Sequence, residues 1–449
     1  MTPDQIVALA QERGVQLVRF LYCDNGGVIR GKSTHVESLA RRMHSGIGLV
    51  KGMQSFTSLD TLAPDASYGP VGEIRLIPDP ETFVVLPYAP RSGQMVVNMV
   101  ELDHSPWALD PRSFLQRMVA AARAAGLMFD AAFENEFYLA VKTETGYRPV
   151  DQSLCFSAIG MESTEEVIQD VIAALTGQGL TVELSHPELG WGQQELSIRH
   201  AAALRAADDQ IIYRQTVRAV AARHGLIASL APKPFADQAG SGAHVHWSIW
   251  DTDHKTNLLA DAGAKDGLSL LARNAIAGVL THLPGLLGLT TPSVNSFRRL
   301  QPHYWSSAYT AWGIENREAA VRVPSRYWDD DEGSANLELK ASDASANPYI
   351  SLGGVIAAAL DGIERGLDPG EPVNEDPGNL TEAERARLGI RRFPETAGAA
   401  LDELERDEVL MTALGAPLGT EYLKVRRAAA AAYAERDTAY ELEQHFFKY

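Results

Sequence analysis

The sequence predicts an α+β protein of two domains, a small β-rich one followed by a larger catalytic one. Three observations carry that expectation. Short runs before Pro106 alternate apolar and polar residues between turns, as strands do. After Pro106, strand-like and helix-like stretches take turns. A chain of 449 residues with 45% apolar content can also bury a core large enough for more than one domain.

In chain order, MTPDQIVALAQERG is short, polar and amphipathic and lacks the charged and apolar regions of a signal peptide. VQLVRFLYCDNGGVIRGK reads as a β-hairpin about an Asn25-Gly26 turn, with TFVVLPY and GQMVVNMVEL as further strands. Asp110-Pro111 opens a helix, with proline in the first turn, that runs through SFLQRMVAAARAAG to a glycine stop. There follow a strand at FENEFYLA, a helix around Glu165 to Leu175, a strand at TVELSHPELG, a helix from Ala201 to Arg223 and a strand at HVHWSIW. RGLDPGEPVNEDPGNL reads as a Pro/Gly-rich surface connection, and the last thirty residues as one Ala-rich, charged helix. No apolar stretch reads as long enough to cross a bilayer. The domains are expected to be residues 1–106 and 107–449.

A net charge of −18 and a pI near 5.1, with no basic run to offset them, argue against nucleic acid and anionic membrane surfaces as partners. Cys23 and Cys155 are the only cysteines, which leaves no disulfide framework and no thiolate metal site. The expected location is the cytoplasm.

The chemistry concentrates in Glu134, Glu136, Glu188, Glu195, His244 and Glu338. Converging from separate strands, these make the hard, oxygen-rich ligand set that suits Mg²⁺ or Mn²⁺. In a strand Glu134 and Glu136 face the same way, and two adjacent like charges are costly unless a cation neutralises them. KPFADQAGSGAHVHWSIW places a Gly-Ser-Gly turn before a strand on which His244 and His246 share a face, so backbone N–H groups can approach a ligand there. Arg299, Arg317 and Arg322 are candidates to grip carboxylate and phosphate oxygens, and cations around a transferring phosphoryl group are what that reaction needs.

Six segments in order, the E-x-E strand, HPELGWGQQE, KPF with GSGAHVHWS, PSVNSFRRL, NREAAVRVP and NLELKASDASANPYI, make the chain resemble the glutamine synthetases and the related ligases that join glutamate to amines. Within that family it looks like the glutamate–amine ligase branch, that of γ-glutamylmethylamide synthetase and the type III-like enzymes. The resemblance covers essentially the whole chain. It implies an N-terminal β-grasp domain and a glutamine synthetase catalytic domain with a curved antiparallel sheet flanked by helices. One metal site would come from Glu136, Glu188 and Glu195, the other from Glu134, His244 and Glu338. Gly240, Arg299 and Lys340 would match glutamate-binding positions, Arg317 a contact to the γ-phosphoryl group, and Glu183, His246, Ser248 and Arg322 nucleotide-binding positions. The implied co-substrate is ATP, and the implied assembly a homo-oligomeric ring, a dodecamer whose active sites lie between neighbouring subunits.

The departures from the family pattern point to the acceptor. Ammonia-using members usually carry a glutamate six residues after the arginine of N-S-[YF]-[KR]-R, and counting from Arg299 this chain has Trp305. The D-G-S-S turn is replaced by GLVKGMQSF around Lys51 and Gly52, Ala239 stands for an asparagine, and Lys340 for an arginine. Loss of carboxylates and gain of an indole weaken ammonium binding and suit an alkyl or aryl amine. The loop near Pro372 to Leu380 offers no counterpart of the tyrosine that is adenylylated in some bacterial members. Trp305 is therefore expected to line the acceptor pocket, Arg298 to be a surface ion-pair partner, and Tyr309, Trp312 and Trp328 to be structural. The leading expectation is a glutamate–amine ligase; the alternatives are an ammonia-using glutamine synthetase and a catalytically silent relative. A guanidino kinase is disfavoured by the full set of ligase motifs.

Overall fold

The computed structural model describes residues 1–144, 146–264 and 266–449. In chain order the elements are α1 (Pro3–Glu12), β1 (Leu17–Cys23), β2 (Ile29–His35), α2 (Leu39–Ser45), β3 (Ile47–Val50), β4 (Glu73–Pro78), β5 (Val84–Val85), β6 (Ser92–Val100), α3 (Pro111–Ala124), β7 (Met128–Thr143), β8 (Gly146–Pro149), α4 (Ala158–Thr176), β9 (Val182–Pro187), β10 (Gln193–Ile198), β11 (Ala201–Ala202), α5 (Ala203–Arg223), β12 (Ile227–Ser229) and β13 (Ala243–Trp250). They continue with α6 (Leu270–Thr290), α7 (Ser296–Arg299), β14 (Trp312–Ile314), β15 (Val321–Val323), β16 (Leu337–Leu339), α8 (Pro348–Arg365), α9 (Glu382–Arg387), α10 (Ala397–Arg406), α11 (Glu408–Leu414), α12 (Ala416–Ala434) and α13 (Thr438–Lys448).

The N-terminal sheet runs β2-β1-β6-β4-β3, with β5 on β6, and its β1/β6 pair is parallel. The hairpin forms as its sequence requires, with Leu17 opposite His35 and Cys23 opposite Ile29. Asp110 caps α3 by accepting from the N–H groups of Arg112 and Ser113, with Pro111 at the first helical position. The buried Arg112 then ties α3 to Asp208 on α5 at 2.8 Å and to Asp79 of the N-terminal region at 2.7 Å.

The second sheet, β14-β15-β16-β13-β7-β10-β9, has β7 near its middle, and β8, β11 and β12 also pair with that strand. Its pairings are antiparallel except for β14 with β15. The mixture of helices and sheets, with a sheet domain preceding the catalytic one, is the fold the sequence predicts.

Two expectations need correction. The C-terminal thirty residues are not one helix, because the chain breaks between α12 and α13 and Asp437 caps the second helix. An apolar stretch long enough to span a bilayer does exist: α6 passes by length and composition, and 67% of that window is buried. It is a core helix that packs against α8 closely enough that a Cβ on Gly278 would lie 2.2 Å from the Ala358 carbonyl oxygen.

Candidate active site

Strand register places the site. Glu134 on β7 pairs with His244 on β13, and two residues further on, Glu136 pairs with Glu195 on β10. Glu195 in turn faces His186 on β9, while His246 faces Glu338 on β16, which faces Arg322 on β15. A period of two along β7 and β13 keeps these side chains on one face, so residues up to two hundred positions apart meet across the sheet.

On the β13 side, His244 Nδ1 lies 3.5 Å from Glu134 and 3.3 Å from Glu338, and His246 Nε2 lies 2.9 Å from Glu134. Both ring nitrogens are buried without a hydrogen-bond partner of acceptable geometry. Donor atoms that approach to about 3 Å without hydrogen-bond alignment are spaced as ligands around a small divalent cation are. Glu134, His246 and Glu338 each offer one ligand atom within 4.8 Å of the others. His244, the imidazole expected as the ligand, faces the same two carboxylates, while its Nε2 accepts from Arg299 at 3.0 Å. Asn336 bonds His246 Nδ1 at 2.9 Å and so fixes that ring.

Positive charge compensates this half. Lys340 is 3.3 Å and Arg322 2.6 Å from Glu338. Burial opposes ionisation of Glu338, but Lys340 and the two histidines outweigh it and bring its carboxyl down to about 2. Burial likewise works against Glu134, and His244 and His246 still hold it well below the usual carboxylate range. His246 rises to about 9 against the effect of burial, through its contact with Glu134. Burial and then Lys340 push His244 down to about 4, so it is neutral.

The β10 side is different. His186 lies 3.2 Å from Glu195 and 3.7 Å from Glu188, and these three form a second possible ligand group. Burial, then the neighbouring Glu188, raise Glu136 to about 8, and burial raises Glu195 to about 7 despite His186. Such carboxylates either keep their protons or need a cation. The donor set of each half therefore fits a divalent metal.

Two cavities meet at Glu134. One, of 70 Å³, is lined by Glu134, Glu136, Glu188, Glu195, Gly240, His244, Arg299, Tyr304, Trp305, Arg317 and Lys340. The other, of 290 Å³, is lined by Glu134, Glu183, His246, Ser248, Tyr327 and Asn336 among others. Arg322 lines neither and is spent on Glu338. Arg299 reaches the first cavity, but its guanidinium also donates to the Ser342 and Lys340 carbonyls. Gly240 and Gly242 are required by close approach, since a Cβ on them would lie 2.6 Å from Arg299 and 2.4 Å from His244. Two of the turn's N–H groups are engaged within the protein: Gly242 donates to Glu136 and Ser241 to the Pro232 carbonyl.

Trp305 is 57% exposed at the first cavity, whereas Tyr309 and Trp312 are buried as expected. Trp328 is fully exposed, against its expected structural role. Arg298 makes a bidentate pair with Glu441. No residue of the N-terminal sheet lines either cavity, and Lys51 pairs with Glu101 instead. Sequence reasoning missed His186, Gln193, Glu318 and Asn336. His186 had a signal, because it sits two residues before Glu188 at the end of a strand. Gln193, which ties Glu136 to Gly240, and Glu318, which accepts from the Trp305 N–H at 2.6 Å, had none.

Carboxylates, imidazoles and guanidinium groups gathered between two cavities are the equipment of a cation-dependent enzyme that handles phosphate. Residues 108–445 match the glutamine synthetase catalytic domain and residues 1–107 the glutamine synthetase N-terminal domain. The chain belongs to the glutamine synthetase family, and is thus an ATP-dependent carbon–nitrogen ligase of a family that uses divalent metals. It is 36% identical to gamma-glutamylpolyamine synthetase GlnA3 of Streptomyces coelicolor, over 92% of this chain and 89% of that protein. It is 32% identical to the glutamine synthetase of Halobacterium salinarum, over 98% and 95%. Among solved structures, a novel glutamine synthase homolog superposes with a TM-score of 0.86 at 34% identity, covering 97% of this chain and 99% of that one. GmaS bound to ADP gives 0.84 at 30% identity, covering 97% and 98%.

Proposed function

We propose that this ligase joins the γ-carboxylate of glutamate to a primary amine rather than to ammonia. The observation that carries the reading is the wall of the smaller cavity. Tyr304 and Trp305 present exposed aromatic surface there, beside Glu188, and the Glu318 carboxylate is turned into the Trp305 peptide. An aromatic wall favours an alkyl or aryl group over a small hydrated ammonium ion. The likeness to a gamma-glutamylpolyamine synthetase and to GmaS supports the same branch.

The division of labour follows from the two cavities. Glutamate occupies the smaller one, with Gly240, Arg299 and Lys340 around its α-carboxylate. The triphosphate occupies the larger one against His246 and Ser248, with Glu183 at its edge. Glu134, common to both, marks where the γ-carboxylate oxygen attacks the γ-phosphorus and ADP leaves. Arg317, exposed at the smaller cavity, neutralises charge on the transferring phosphoryl group. The amine nitrogen then attacks the acyl carbon, loses a proton and expels phosphate. Mg²⁺ or Mn²⁺, held by Glu136, Glu188 and Glu195 on one side and Glu134, His244 and Glu338 on the other, would supply electrostatic stabilisation of phosphate oxygens. Arg322 serves by fixing Glu338.

The domain division at 106/107, the cytoplasmic location and a ring assembly with shared sites complete the reading. Exposed Leu154, Phe156, Ile159, Leu189 and Trp191 flank the acidic half, with Phe156 edge-on to His186 at 4.7 Å, and such a face suits cover by a neighbouring N-terminal domain. The test is glutamate-dependent phosphate release from ATP with Mg²⁺ or Mn²⁺, comparing ammonium with methylamine, ethanolamine and polyamines. A kcat/KM at least tenfold higher for one amine is expected; preference for ammonium makes the chain a divergent glutamine synthetase.

A further inference from the structure

The loop that carries Trp305 has an unusual backbone. His303, Trp305 and Ser307 have φ of 66°, 56° and 68°, and a bulky residue in that region holds its conformation only when its surroundings impose it. Three separate segments do so. Asp376 holds the His303 ring at 2.6 Å, the Ser306 hydroxyl donates to the Arg299 carbonyl at 2.8 Å, and Glu318 accepts from the Trp305 N–H at 2.6 Å.

The third pin differs from the others. Glu318 is 8% exposed, so a carboxylate has been buried in order to accept a backbone N–H, and it follows directly on Arg317 at the substrate cavity. Burial raises its carboxyl above the usual range, and the nearby Asp376 adds to this. A hydrogen bond to an ionised group is stronger than one to a neutral group, and leaving a buried donor without its partner is costly.

We propose that Glu318 is the positioning residue of the acceptor wall: its carboxylate fixes the Trp305 peptide in the left-handed turn that sets the indole at the cavity, and so determines the preference for an amine over ammonium. This deepens the amine-ligase reading and rests on Trp305 lining the acceptor pocket. Glu318 touches no reacting atom; it acts through the loop.

The experiment compares Glu318→Gln, Glu318→Asp and Trp305→Ala with the unaltered enzyme in the phosphate-release assay, with KM measured separately for amine, ammonium, glutamate and ATP. In Glu318→Asp the charge stays but its reach shortens by one carbon, and the amine-to-ammonium ratio of kcat/KM is expected to fall about tenfold through KM for the amine. Glu318→Gln, whose amide oxygen can accept the same N–H, should keep most of the ratio. KM for glutamate and ATP should move less than twofold in both. The inference is overturned if Glu318→Asp leaves the ratio unchanged, or raises all KM values together as a general loosening would. If Trp305→Ala shifts the ratio while Glu318→Asp does not, the positioning role fails and the amine-ligase reading stands. If Trp305→Ala has no effect, the acceptor-wall reading fails, and the Glu318 inference with it.

Discussion

Toward β13, Glu134 and Glu338 lie among Lys340, Arg322 and two imidazoles; toward β10, Glu188 and Glu195 share His186, and Glu136 stands beside them. The first half is neutralised by the protein's own cations, and its acids ionise readily, Glu338 near 2. The second is only partly so, through Arg299 and His186, and burial with mutual repulsion still leaves Glu136 near 8 and Glu195 near 7. Two carboxylate clusters a few residues apart on one strand are thus prepared differently. One is preorganised with its charge balanced, while the other carries a deficit of positive charge that a divalent ion can fill.

The sharpest way to break this comparison is to delete one acid from each half. Glu136→Gln and Glu338→Ala should each lower turnover by about a thousandfold or more, because each removes a proposed metal ligand beside the transferring phosphoryl group. Their effects on the metal-free protein should be opposite. Glu338→Ala strands Lys340 and Arg322 in the interior, at a cost of about 3–5 kcal/mol. Glu136→Gln removes a group whose burial costs more as pH rises, and should raise the thermal midpoint modestly at pH 6 and further at pH 9. A fall in both midpoints at pH 9 would show that the two halves are electrostatically alike. Size-exclusion chromatography of Glu136→Ala should show the native assembly, since that residue lines the smaller cavity.

The pH dependence of the unaltered chain sharpens the same contrast at a smaller scale. The folded carboxyl of Glu136 titrates near 8 and an unfolded one near 4.5, so between those values the folded state holds the extra proton. Stability from this group is complete below about pH 4.5 and is lost as pH rises through about 8, an effect on the order of a few kcal/mol. The metal-free protein should melt at progressively lower temperature from pH 6 to pH 9. Added Mn²⁺ should stabilise it more at each step, and its binding near pH 7 should release protons, measurable by calorimetry in buffers of different ionisation enthalpy. A stabilisation independent of pH would place the ion in the charge-balanced half.

How much of this contrast the sequence revealed depends on the kind of information involved. Period-two strands made Glu134 with Glu136 and His244 with His246 legible as pairs, and the Asp110-Pro111 cap and the Asn25 hairpin formed where local chemistry demanded. The register between distant strands was not legible, so His186 opposite Glu195 and Arg322 opposite Glu338 came only with the sheet. Arg322 illustrates the cost: the family resemblance marked it for nucleotide, while β15 sets it against Glu338. Helix α6 was overlooked for another reason: Arg273, Asn274 and His282 interrupt its apolar residues, although its length and mean hydropathy suffice to span a bilayer.

The smallest expected effect concerns the acceptor wall, where the acidic half opens beside Tyr304 and Trp305. Trp305→Glu places a carboxylate at the cavity that already holds Glu188, next to the half that lacks positive charge. Near that cluster the new acid has a use for a cation, and ammonium is one small enough to sit beside it. The substitution should raise kcat/KM for ammonium relative to methylamine by about tenfold, a change of about 1.4 kcal/mol in relative transition-state binding, mostly through KM for ammonium. The same substitution in a Glu136→Gln background should gain less, because that background has one negative charge fewer to share the cation. An equal gain in both backgrounds would mean that the wall acts by shape alone, and an unchanged ratio would remove Trp305 from the choice of acceptor.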